Sequence, residues 1–352
     1  MKENLRRISE DQLFNFIKTA LITIGLPQDN ANIVAKLMTQ ADLIGSDAHG
    51  VFRLPQYTKR LLAGGINKTP NIRIEREKNS MAVLNGDNAM GHLVMEHAAN
   101  LAVKKAKENG VAWVGANSSN HAGPASLYAR IPLEHNMIGI YVAVGSGNHV
   151  PPWGGTDLLL STNPIAITVP SWNEPPIVLD MATTVAAYGK VKEKLQRNEE
   201  MPVGWMIDGE GKPLTDPKKS SEGYLLPIGE AKGYGLALMF GILAGTLNGA
   251  SFGKAVVDFN ADASSFTNTG HFIIAVDIAS FTEVEGFKKN IDQVWTEMKG
   301  SKLMPGFNEI RLPGERSHQI YLDRTKNGIP IHENLKNVLD ALSEQLNINK
   351  IY

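Results

Sequence analysis

Apolar residues change their spacing twice along this chain, and that order limits the fold more than any other feature. From residue 9 to about 64 they recur at helical spacing. From about residue 72 to 280 they fall into short runs punctuated by Gly, Pro, Asn and Asp, and beyond 281 helical spacing returns. The pattern predicts an α/β protein with a sheet in its middle and helices contributed by both ends. At 352 residues the chain is long enough for about two domains at roughly 100–200 residues each. The expected division is a helical unit begun by residues 1–71, a sheet unit over 72–280, and a segment 281–352 that packs back on the helical unit.

In SEDQLFNFIKTALITIG, Ser9 ahead of Glu10 and Asp11 reads as an N-cap with an acidic first turn, followed by Leu13, Phe16, Ile17 and Ala20 on one face. A second helix starts at Pro27-Gln28-Asp29-Asn30 and runs towards Leu43. A third, LPQYTKRLLAGG, has proline first and glycine last. Strands are expected at IRIERE, MAVLNGDN, VAWVGA, GIYVAV, AITVP, IVLDMAT and HFIIAVDI, with an amphipathic helix over 93–108 and a further helix from Ala125. Residues 190–229, rich in Lys, Pro, Gly and Asp, read as an excursion from the sheet. The nearly all-apolar helix from Gly235 to Leu247 is expected at the centre of the molecule. The tail reads as helices around 283–299 and 333–346 with an extended stretch between them.

Lys and Arg total 35 against 36 Asp and Glu, with no dense basic run, so nucleic acid and anionic membranes are poor partners. Cysteine is absent, which excludes disulfides, thiolate nucleophiles and Cys-based zinc sites. The start lacks an apolar leader and no stretch approaches the length of a membrane span, so a cytoplasmic location is expected. No H-E-x-x-H, G-x-S-x-G, G-x-G-x-x-G or P-loop pattern occurs. A metal site and a serine nucleophile are therefore not expected.

Polar groups concentrate in loops that follow strands, at 117–123, 145–149 and 161–164. His49, on the connection between two helices, is followed four residues later by Arg53. Taken singly, His49 is a loop histidine, Arg53 a surface cation and His121 a turn residue. Asp180, ending an apolar strand, needs a hydrogen bond or a partner charge. Lys232 stands just before the apolar helix, where it could meet an anion together with the helix N-terminus.

DAHGVFRLPQY, NSSNHAGPASLYA, VPPWGG, STNP, DMATTVAAYGKV, KGYGLALM and RLPGE occur in the order found in the malate/L-lactate dehydrogenase family, which the chain resembles from about residue 8 to 345. That non-Rossmann group of NAD(P)-dependent oxidoreductases includes ureidoglycolate and sulfolactate dehydrogenases and diketogulonate reductase. The resemblance implies a mixed cofactor-binding sheet, a homodimer, and hydride transfer between NAD or NADP, with NAD favoured, and a small anionic 2-hydroxy or 2-oxo acid. The alternative within the family is an NADPH-dependent reductase of a cyclic imine or diketo sugar acid. It assigns proton transfer to His49 or His121 and carboxylate binding to Arg53, roles that suit an imidazole titrating near neutrality and a bidentate guanidinium. Ser146, Asp180, Met181, Ala182, Lys232, Pro313, Gly314 and Glu315 are the implied cofactor residues. Thr162, Asn163 and His149 are expected near the substrate. Relatives carry Ser just before the first histidine where this chain has Ala48, so Ser46, Asp47 or Asp180 must orient that imidazole unless the relay is missing. The run Lys190, Lys192, Lys194 and Arg197 reads as a solvated helix face, or else as a contact for a 2′-phosphate.

Overall fold

The computed structural model describes residues 6–352. Strand β1 (Arg6–Ile8) leads into helices α1 (Glu10–Thr23) and α2 (Gln28–Leu43), and α3 (Leu54–Ala63) follows the connection that carries His49. Ser9 closes a reciprocal capping box with Gln12, which satisfies two of the free N–H groups at the start of α1. Gly64 ends α3 at φ 82°, a left-handed conformation that glycine adopts without a Cβ clash. Leu13, Phe16, Ile17 and Ala20 are all buried, as their spacing predicts.

The middle of the chain supplies β2 (Arg73–Lys78), β3 (Met81–Asn85), α4 (Gly91–Asn109), β4 (Val111–Ser119), the short α5 (Ser126–Ala129), β5 (Met137–Ala143), β6 (Ile165–Val169) and β7 (Ile177–Met181). An excursion follows, made of α6 (Tyr188–Arg197) and the hairpin β8 (Met206–Asp208) and β9 (Gly223–Leu225), then α7 (Ala231–Ala244) and β10 (Thr269–Asp277). Seven strands form one sheet in the order β2-β3-β4-β10-β5-β6-β7. Only β3 and β4, joined across α4, run parallel; every other pairing is antiparallel. The mixed sheet matches the expected non-Rossmann α/β class. β10 enters the centre of the sheet and stacks Phe272 on Trp113 of β4 at 4.1 Å. Tyr141 and His271 hydrogen-bond across β5 and β10 at 2.8 Å.

The tail contains α8 (Val284–Lys299), α9 (Glu315–Asn327), β11 (Ile329–Ile331) and α10 (Glu333–Leu346). β11 pairs antiparallel with β1, and Leu339, Leu342 and Ile351 share one core with Leu13, Ile17 and Leu21. α8 lies along the β6–β7 turn, where Asp292 accepts the N–H groups of Trp172, Asn173 and Glu174.

Two expectations fail. α9 occupies the stretch read as extended: its apolar residues Ile320, Tyr321 and Leu322 are consecutive and it buries only Glu315 and Arg324, so it has no apolar period to read. α7 is not central. Gly233, Ala237, Gly241 and Ala244 turn inward, while Leu236, Met239 and Ile242 are 40%, 52% and 37% exposed. Small residues allow the close approach, since a Cβ on Gly241 would lie 2.0 Å from the Phe252 ring.

Arg60 fixes the loop ahead of β10 to α3. It is fully buried and donates to the carbonyls of Phe259, Asp262, Gly65 and Ser265. A planar guanidinium can address several carbonyls at once, whereas an ammonium is a single point. Arg60→Met is expected to cost about 3 kcal/mol or more by stranding these acceptors, and Arg60→Lys to recover little of it. Urea unfolding midpoints test this; an unchanged midpoint for Arg60→Met would show that the loop holds itself.

Candidate active site

His49 and Arg53 stand on two single helical turns, Asp47–His49 and Val51–Arg53, between α2 and α3. The buried carboxylate of Asp42, at the end of α2, accepts the Val51 N–H at 2.7 Å. Only glycine fits at position 50, because a Cβ there would lie 2.1 Å from the Asp42 carboxyl. Arg324 of α9 clasps the segment from behind, donating to the Asp42 carbonyl and to both carboxylate oxygens of Asp47. Burial, reinforced by Asp47, pushes the Asp42 carboxyl well above the usual range; the Val51 N–H and Arg324 oppose the shift.

Arg53 is 8% exposed, with Nε on the Ala48 carbonyl at 2.8 Å and Nη1 on Asn260 at 3.2 Å. It forms no ion pair among the described residues. Its remaining N–H groups are available to a planar anion.

His49 and His121 lie parallel, ring centroids 5.7 Å apart and planes 7° from each other. Each has its Nδ1 anchored, His49 to Ser46 Oγ at 3.1 Å and His121 to the Tyr57 hydroxyl at 2.6 Å. The Gly123 N–H also points at His121 Nδ1, at 3.4 Å. The Gly123 N–H can only donate, so with Nδ1 as acceptor the neutral imidazole carries its proton on Nε2 and the Tyr57 hydroxyl donates. Burial, then the positive charge of Arg53, holds His49 down at about 3, and the same causes hold His121 well below its usual value. Beneath them His92 is fully buried, has no hydrogen-bond partner for either ring nitrogen among the described residues, and is held at about 3 by burial.

Two cavities meet at His49. One, of about 80 Å³, is lined by Arg53, His121, Ser146, His149, Tyr188 and Asn260 among others. The other, of about 600 Å³, runs past Arg130, Asp180, Met181, Ala182, Lys190 and Gly314. His49, Gly123, Thr162, Pro164 and Ala187 belong to both walls. The larger cleft suits a dinucleotide. Arg130 has a buried Nε without a hydrogen-bond partner among the described residues, Lys190 adds a second cation, and the N-terminal end of α9 opens on it through Gly314 and Ser317. Asp180 accepts the Ser126 N–H at 2.9 Å and keeps one side open to the cleft; burial raises its carboxyl, with Ser126 and Arg130 opposing.

Of the residues expected from sequence, His49, Arg53, His121, Ser146, His149 and Thr162 line the small chamber. Asp180, Met181, Ala182 and Gly314 line the cleft. Ser146, expected at the cofactor, lines the small chamber and not the cleft. Asn163 lines neither: its side chain accepts the Gly145 N–H and donates to the Ala237 carbonyl, bracing the 145–149 loop against α7. Lys232 is exposed outside both cavities. Pro313 contributes its carbonyl to the Val178 N–H, and Glu315 turns away to pair with Lys299 at 2.5 Å and accept the Leu312 N–H. Of the three groups considered for orienting His49, Ser46 is the one that meets its Nδ1; Asp47 binds Arg324 and Asp180 accepts the Ser126 N–H. Tyr57, Asn260, Tyr188 and Arg130 were not anticipated; only Tyr57, one helical turn beyond Arg53, could have been found by spacing. No cluster of metal-ligating groups occurs among the described residues.

A sequence model of the malate/L-lactate dehydrogenase family matches residues 8–340. A malate dehydrogenase of Pyrococcus horikoshii is 38% identical over 98% of this chain and 97% of its own. Its solved structure superposes with a TM-score of 0.90 at 37% identity, covering 99% of this chain and 98% of that one. A malate/(S)-sulfolactate dehydrogenase of Methanothermus fervidus is 37% identical, covering 97% and 98% of the two chains. The NAD(+) ureidoglycolate dehydrogenase of Escherichia coli K12 is 34% identical over 88% of each. The chain belongs to the malate/L-lactate dehydrogenase family.

Proposed function

We propose that the protein is a nicotinamide-dependent oxidoreductase that interconverts a small 2-hydroxy acid and its 2-oxo acid. The observation that carries this reading is the meeting of the two cavities at His49, with an unpaired Arg53 and two anchored imidazoles in the smaller one. When bound, the nicotinamide cofactor supplies hydride acceptance or donation at C2. NAD is proposed over NADP, following the name of the Escherichia coli relative. Arg130, Lys190 and the start of α9 would hold its diphosphate, and Asp180 is an acceptor for its hydroxyls.

The chain's own residues do the rest. Arg53 binds the substrate carboxylate through the N–H groups it does not spend on Ala48 and Asn260, which fixes C2 in the chamber. His121, donating from Nε2, hydrogen-bonds the oxygen on C2. His49, with Nδ1 held by Ser46, presents a free Nε2 and takes the hydroxyl proton in oxidation or returns it in reduction. A chamber of about 80 Å³ favours three- and four-carbon acids over diketo sugar acids. The outward apolar face of α7 supports a homodimer, because a contiguous exposed apolar surface is covered in most stable proteins.

Oxidation of reduced cofactor with a panel of 2-oxo acids tests the activity, and His49→Ala should lower kcat by about 10²–10⁴-fold. Full activity in that variant would move proton transfer to His121. Because His49 is held at about 3, its neutral form is available well below pH 6.5. The acid limb of kcat/KM for 2-hydroxy-acid oxidation should therefore lie below about pH 5; a midpoint between 6 and 7 would contradict a buried neutral base. Light scattering should give a dimer, with Met239→Lys shifting it towards monomer.

A further inference from the structure

The helix α6 divides its basic run among different tasks. Lys190 lines the larger cleft, and Lys194 pairs with Glu199 at 2.5 Å. Lys192, two residues and about 200° around the helix from Lys190, turns the other way. Its ammonium lies 5.6 Å from the centroid of the Tyr188 ring. Tyr188 lines the small chamber and stacks flat on His149, centroids 3.8 Å apart. The same turn of α6 rests on the carboxylate-binding group, since a Cβ on Gly189 would lie 3.6 Å from Arg53 Nη2.

Lys192 is half-buried, and its Nζ makes no hydrogen bond or ion pair with the described residues. Burial and the like charge of Arg53 push it down to about 8, against the opposing pull of Asp258. Asp258 is not its hydrogen-bond partner: its Oδ1 accepts both the backbone N–H and the side-chain amide of Asn260. A partly desolvated ammonium that Asp258 attracts but that is hydrogen-bonded to no carboxylate among the described residues is only partly compensated until an anion arrives. The flexible four-carbon stem lets it turn to meet one at the chamber rim.

We propose that Lys192 is a specificity-determining residue that receives a second anionic group of the substrate, so that Arg53 and Lys192 together select dianionic 2-oxo acids carrying a terminal carboxylate or sulfonate. The His149–Tyr188 stack forms a flat wall for the short carbon chain between the two anions. This inference rests on the 2-oxo-acid reading above.

The test compares oxaloacetate with its uncharged terminal amide, 2-oxosuccinamate, and with pyruvate, in the wild-type protein, Lys192→Met and Lys192→Arg, using NADH and NADPH. Lys192→Met should raise KM for oxaloacetate about 10- to 100-fold. Its kcat should hold within a few-fold, and kcat/KM for the amide and for pyruvate should stay within about threefold. Lys192→Arg should retain the preference for oxaloacetate. An equal loss on all three substrates, no loss on any, or a change confined to the KM of NADPH would overturn the role of Lys192 and leave the 2-oxo-acid reading standing. A wild-type protein that reduces no 2-oxo acid with either cofactor would remove both.

Discussion

The clasp of Arg324 on the segment between α2 and α3 is the contact on which the rest of the site depends. Residues 44–53 make no long helix and no strand, so nothing intrinsic to their backbone fixes where His49 and Arg53 point. Their positions come from the Asp42 carboxylate, which holds the Val51 N–H, and from Arg324, which holds Asp42 and Asp47 from the far side. A guanidinium that is 9% exposed and bound to both a carboxylate and a carbonyl gives a directional, charge-assisted anchor. The same helix, α9, opens the cofactor-sized cleft at Gly314 and Ser317 and packs Ile320 against Gly45. One mostly polar helix thus ties the cleft to the segment that carries His49 and Arg53.

Burial sets the electrostatics of the chamber. His49, His92, His121 and His271 are all held below their ordinary values chiefly by desolvation. The imidazoles stay neutral and Arg53 remains the fixed positive charge at the chamber wall. An arriving carboxylate is attracted by that charge without competition from an imidazolium. Bound beside Arg53, its negative charge would stabilise a protonated His49 and raise the proton affinity only while the chamber is occupied. Among the described residues, His92 is a buried imidazole with no hydrogen bond at either ring nitrogen. Its edge-on contact with Tyr57 packs the residue that orients His121.

What could be read in the sequence was what lay contiguous. The H-G-x-x-R stretch is short enough for His49 and Arg53 to show together, and the change in apolar period marked the sheet and its flanking helices. A partner arriving from far along the chain left no such trace: Asn260 reaches Arg53 across 207 positions, whereas Tyr57, which reaches His121 across 64, stands one helical turn beyond Arg53. Motif reading also does not separate side chain from backbone. In Pro313-Gly314-Glu315 the glycine lines the cleft, whereas the carboxylate of Glu315 faces Lys299. Composition misled at α7 for a related reason: apolar content alone does not say which face of a helix is covered, and here the small residues face in.

The shared wall between the cavities carries a consequence for how the chemistry is sheltered. The small chamber borders the cleft through His49, Gly123, Thr162, Pro164 and Ala187, residues that are small or held in place, with Thr162 accepting both the N–H and the hydroxyl of Thr183 at its carbonyl. Occupying the cleft removes water from that side of the chamber. Charges facing a drier space interact more strongly, so the proposed pull of Arg53 on a carboxylate and proton exchange at His49 would gain force when both cavities are filled. An arrangement with its cation and imidazoles already fixed needs little further movement to benefit, because the polar groups are oriented before the substrate enters.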